Sequence, residues 1–244
     1  MLGNLLKSVG ATLGLAPTKP PEFEVPAVLP KLQAKPTSEV IQASGMDAAL
    51  FASAGSGLTT SKLLEIALNQ QHDMLGATKA IAHALPQKEA VKWAADSARM
   101  VESKLPPEQK QALASADAFN ERPSLSTRDA AATAAKKAGT NGPGGLAAQA
   151  AAFADVPGAP SIPGGDSLLP TCVTGAVVLA ASISPPAVKA MPEFSPITTA
   201  AIPPPKSPGA PVVATPIQPE PAAVVKNTQT FKPFIDRGLA LAAG

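Results

Sequence analysis

Two histidines, one cysteine and scattered carboxylates are the side chains of this 244-residue chain best equipped for chemistry. His72 and His83 could ligate a metal or move a proton, but eleven positions separate them, about three helical turns, and a helical metal pair needs i, i+4 spacing. Cys172 is alone, which excludes an intrachain disulfide and a Cys-based zinc site. It stands in the apolar run Cys172-Val-Thr-Gly-Ala-Val-Val-Leu-Ala-Ala with no histidine nearby, the setting of a buried thiol rather than a nucleophile. Glu89 and Asp96 are seven apart and would share a helix face, as an acid/base couple requires. Lys92 between them turns the trio into a salt-bridged surface. Gly142-Pro-Gly-Gly at a helix opening offers backbone N–H groups to an anion, yet no Lys-Ser/Thr follows it, so a turn is the better account. No catalytic, cofactor-binding or metal-binding residue is assigned. The expectation is a protein that is not an enzyme and carries no cofactor.

Charge narrows the partners. The net charge is +2, and between Leu58 and Ser184 eleven Lys/Arg face eleven Asp/Glu. Phosphate neutralisation on a nucleic acid needs a basic stripe, and the local cluster here, Lys136-Lys137, suits a helix C-terminus. Proteins are therefore the expected partners, and nucleic acid is not.

The elements that must hold these residues follow from proline and alanine. Of 28 prolines, six precede Ser38 and thirteen follow Ser184; the nine between fall mostly where helices should begin or end. Thr60 is the expected cap of a helix through Leu63, Leu64, Ala67 and Leu68. Further helices are expected from about His72 to Ala84, after Pro86 through Val91 and Val101, and after Pro106-Pro107 to about Phe119. Three more should run from Ser124 to Ala138, from Pro143 to about Ala154, and from Leu168 to Ser182. Thr37 opens a brief earlier helix that Gly45 closes. With one Trp, seven Phe and no Tyr, the core must be built from Ala, Leu, Val and Ile, and alanine buries little area at roughly 25 cal/mol per Å². The fold class is all-α, a compact bundle of about seven short helices with Pro-rich extended N- and C-terminal arms.

Five segments result. Residues 1–14 form an amphipathic helix through Leu2, Leu5, Leu6, Val9 and Leu13, residues 15–57 a Pro/Gly-containing linker, and 58–184 the helical domain. Residues 185–232 are a Pro-rich arm of polyproline II type, and 233–244 a segment whose apolar residues dock back on the domain. Candidate partner-binding residues are Leu5, Leu6, Trp93, Phe231 and Phe234. Protein contact is preferred for residues 2–14, with the membrane surface as the lesser alternative. Pro-x-x-Pro spacings such as Pro205 to Pro208 are of the kind that aromatic-lined grooves bind, and arise easily in so Pro-rich a stretch. The N-terminus lacks the basic region of a secretory signal ahead of its apolar residues, and the apolar run near Val173 to Ala181 is short of the ~20 residues of a membrane span. A soluble chain in the bacterial cytoplasm is expected, associated with a membrane-bound or virion assembly if with any.

The stretch Ala82-His-Ala-Leu-Pro-Gln-Lys-Glu-Ala-Val-Lys-Trp-Ala-Ala resembles the hallmark of an uncharacterised bacterial alanine-rich helical family associated with type VI secretion gene clusters. The likeness continues through Leu105-Pro-Pro, Ala116-Asp-Ala-Phe, Arg128-Asp-Ala-Ala, Thr174-Gly-Ala-Val-Val-Leu-Ala-Ala and Phe234-Ile-Asp-Arg-Gly-Leu-Ala-Leu-Ala-Ala-Gly. This chain departs from that family at Lys92-Trp93, where members often pair two Trp, and at Phe153-Ala-Asp-Val-Pro-Gly, where they carry a Trp-Ser-Gly-Gly-Ser-like segment. The resemblance implies no activity. It implies an accessory or adaptor protein of a bacterial, type VI-like secretion apparatus acting through protein contacts. The alternative is a structural component of a virus particle or other large assembly, its Pro-rich arms ordered on neighbouring subunits.

Overall fold

Prolines and side-chain caps cut the central sequence into short helices. The structure is a computed structural model that describes residues 22–32, 35–49, 51, 57–184 and 221–244, with side chains in the last segment from Thr228 onward. Among the described residues there are nine α-helices and no strand, and seven of the helices fall between Leu58 and Ser184, the number expected. The 1–14 helix with Leu5 and Leu6, and residues 185–220 of the Pro-rich arm, lie outside the described residues.

Helix α1 (Thr37–Ser44) ends at Gly45, whose φ of 68° turns its N–H back to Gln42 O. Helix α2 (Thr60–Glu65) opens under a threonine cap, but the cap is Thr59, not Thr60: Thr59 Oγ1 accepts from the Lys62 N–H at 3.2 Å. Thr60 is buried instead, its hydroxyl 3.4 Å from that of Thr37. α2 runs into a π-helical turn, Ile66–Gln70. His72 then takes a φ of 54°, which prevents it from starting the next helix. Helix α3 (Met74–Ala84) begins after it, capped by Asp73, whose carboxylate accepts from the Gly76 N–H at 2.8 Å.

Pro86 precedes α4 (Gln87–Met100), and Pro107 is the first residue of α5 (Pro107–Glu121). A capping box opens α6 (Leu125–Ala138), with Ser124 and Thr127 each accepting from the other's backbone N–H. Helices α7 (Pro143–Phe153) and α8 (Gly165–Ile183) follow, α8 starting three residues before the expected Leu168 and carrying Pro170 within it. α9 (Pro221–Ala243) starts inside the stretch read as a Pro-rich arm to residue 232. Eleven residues free of proline separate Pro221 from Pro233, enough for three turns, and proline is tolerated at the first of them.

α8 lies at the centre, packed against α3, α4, α7 and α9. Its Leu169, Val173, Ala176, Val177 and Ala180 are buried. By length and composition α8 could cross a membrane, contrary to the shorter apolar run noted in the sequence, and half of its apolar window is covered by the rest of the chain. A satellite cluster of Ala112, Ala135 and Ala148 lets α5, α6 and α7 approach closely. The stretch 22–32, expected as linker, adds Phe23, Leu29 and Leu32 to the core. Proline denies this stretch a regular helix without preventing its apolar residues from packing. Asn69 holds its backbone, accepting from the Phe23 N–H at 2.8 Å and donating to Phe23 O at 2.9 Å.

Candidate functional site

α4 turns Trp93 and Asp96, three residues apart, toward α9, and α9 answers with Phe234, Arg237 and Gly238 at i, i+3 and i+4. The Trp93 Nε1–H donates to Phe234 O at 2.8 Å, and both side chains are fully enclosed. Gly238 permits this approach, because a Cβ there would stand 2.7 Å from Trp93 Cε2. Arg237 donates to Asp96 Oδ2 through Nε at 2.8 Å and Nη2 at 2.6 Å, and Lys92 Nζ lies 3.6 Å from the same oxygen. Lys232 pairs with Asp236 and stands 4.8 Å above the ring of Phe23, which draws the N-terminal segment into the same assembly. Phe231 packs, partly buried, at the edge of the core.

Of the five candidate partner residues, then, Trp93 and Phe234 meet each other inside the chain, and Phe231 packs at the edge of the core. While α9 is docked, neither Trp93 nor Phe234 has surface to offer a separate protein. Of the expected surface trio, Asp96 takes Arg237 as well as Lys92, and Glu89 pairs instead with Lys31 at 3.3 Å.

Sequence reasoning passed over Gln109. It is 3 % exposed, donates through Nε2 to Ala138 O at 3.0 Å, and accepts at Oε1 from the Gly145 N–H at 2.6 Å. One amide thus closes the end of α6 and the start of α7. Of the N–H groups that Gly142-Pro-Gly-Gly could offer an anion, that of Gly145 is already taken. A Cβ on Gly144 would overlap the Gln109 carbonyl oxygen, so α5 and α7 need glycine to come this close.

The remaining reactive side chains are dispersed. His72 and His83 stand at opposite ends of α3, and no three His, Cys, Asp or Glu side chains converge among the described residues. Burial pushes the Cys172 thiol up to about 11. An apolar groove of about 510 Å³ runs between α6 and α7, lined by Ala132, Ala135, Ala152, Phe153 and Ile162 with Lys136 at its rim.

Residues 66–193, just over half of the chain, match the family of unknown function DUF6931. The chain belongs to this family. No curated protein and no solved structure matches it. The DUF6931 region takes in α3 to α8 and therefore Trp93, Asp96 and Gln109. It stops short of α9, so the clasp joins a DUF6931 helix to a helix beyond the matched region.

Proposed function

We propose that this DUF6931 protein is a non-enzymatic adaptor that presents a proline-rich segment from a helical body to other proteins of a bacterial, type VI-like secretion apparatus. The observation that carries this reading is the anchorage of both ends of residues 185–220. On one side α8 ends at Ile183, whose carbonyl accepts from Lys104 Nζ at 2.9 Å. On the other, α9 is held by Trp93 and Asp96. Between them the sequence has eleven prolines in thirty-six residues, including Pro203-Pro-Pro and the Pro205 to Pro208 spacing. Tethering both ends of such a segment lowers the entropy lost when an aromatic-lined groove binds it. The secretion setting rests on the resemblance carried by Ala82 to Ala95 and by Phe234 to Gly244.

The test is affinity capture from the native cell extract with the full chain and with a variant in which residues 185–220 are replaced by a Gly/Ser stretch of equal length. Retention of secretion-apparatus proteins by the first and not the second, at equal thermal stability, is the expected result. Equal retention by both, or virion proteins alone, would overturn the reading, as would turnover of a substrate abolished by one polar substitution.

A further inference from the structure

A separate cavity of about 350 Å³ lies between the end of α1, the middle of α3 and the start of α8. Lys79 and His83, four apart on α3, form one wall, and Thr171 and Thr174 on α8 form the wall opposite. Gln42 and Ser44 close the end. No carboxylate lines this space among the described residues, and Lys79 and His83 have no hydrogen bond or ion pair among them. Thr174 is only 9 % exposed, and its hydroxyl likewise has no partner among the described residues. That hydroxyl opens on the cavity, so a free donor stands beside two bases that no lining carboxylate neutralises, a set suited to an anion.

At the end of α1, the Ile41 and Gln42 carbonyls are already engaged. Ile41 O takes the Met46 N–H and the Ser44 hydroxyl, and Gln42 O takes the Gly45 N–H. The positive field is unrelieved: burial, then the charges of Lys35 and Lys79, hold His83 below the ordinary imidazole range.

We propose that this cavity binds a phosphate-type oxyanion, either free phosphate or the phosphate of a small monoester. Lys79 and protonated His83 supply the charge, and the Thr174 hydroxyl and Gln42 amide donate hydrogen bonds. The volume leaves room beyond the phosphate for a small organic group. Binding draws a proton onto His83, so it tightens as the pH falls. The charged and titratable groups facing His83 are Lys79 on its own helix and Lys35 ahead of α1, while α8 contributes only threonines.

The chain has two histidines, which makes His72 an internal reference for a nuclear magnetic resonance titration of the full-length protein. Inorganic phosphate at constant ionic strength, balanced with chloride, should move the His83 imidazole signals saturably and leave those of His72 in place. Binding should be tighter at about pH 6 than at about pH 8. Lys79→Ala should weaken it roughly tenfold or more, Thr174→Val should weaken it less, and Lys79→Arg should retain it. Glycerol phosphate binding more tightly than phosphate would identify a monoester site; equal affinity would identify a free-anion site. A non-saturable shift, equal movement of both histidines, or an unchanged response in Lys79→Ala would overturn the proposal.

Discussion

A methyl group added at position 238 would stand 2.7 Å from an indole that is itself fully buried, leaving the ring nowhere to go. Gly238→Ala should therefore lower stability by roughly 1–3 kcal/mol in thermal or denaturant unfolding, as overpacking does elsewhere. Gly57→Ala, where a Cβ would meet open space, should change it little. At Cys172 the raised thiol pKa of about 11 leaves almost no thiolate near neutrality. Its reaction with a thiol reagent should be far slower than that of free cysteine and should keep accelerating as the pH climbs toward that value. His83 behaves in the opposite sense. Its folded pKa lies below the ordinary imidazole value of about 6.5, so the unfolded chain takes up the proton first as the pH falls. The contribution of His83 to stability is thus complete above that value and declines below it, until the folded pKa is reached. His83→Gln should flatten the dependence of the unfolding temperature on pH in this window, measured without phosphate. Trp93 was legible as a contact residue because a lone tryptophan in an alanine-rich helix stands out. Its seat was not, because the carbonyl it grips lies 141 positions away. Gln109 gave no signal at all, since nothing local marks a glutamine that will be buried by two other helices.

At the scale of elements, α3 to α8 were readable because each boundary carries its own chemistry. Pro86, Pro107 and Pro143 start helices where a missing N–H costs nothing, and Ser124 with Thr127 spells a capping box. Ser124→Ala should cost about 0.5–2 kcal/mol of stability, seen in denaturant unfolding, because the Thr127 N–H loses its acceptor. The caps at Thr59 and Asp73 show the grain of such reading: the adjacent threonines 59 and 60 are equally good candidates by type, and only the burial of Thr60 decides between them. Residues 22–32 and α9 were misjudged for a common reason. Proline density is evidence about backbone angles, and it does not report whether the intervening Phe23, Leu29 or Leu32 will find a surface to cover. The surface that covers them is made partly by α9 itself, which contacts Pro30–Leu32.

For the whole molecule, the consequence is that the two ends of the described chain are stitched to a DUF6931 body through a few groups on α4. Removing residues 221–244 should expose Trp93, the one tryptophan, and its emission should shift to the red while the helical content of α3 to α8 persists. An unshifted emission would show that the indole has another cover. The stitch also sets an order in time. Helices α3 to α8 close contacts over shorter sequence separations, whereas the bond from Trp93 to Phe234 closes 141 positions and carries the larger entropy of loop closure. During refolding the helical body should form first, with the indole bare and Asp96 unmatched, and the last helix should arrive in a slower step. For that interval the seat stands vacant. Any amphipathic helix with a phenylalanine, an arginine and a glycine at this spacing would compete for it.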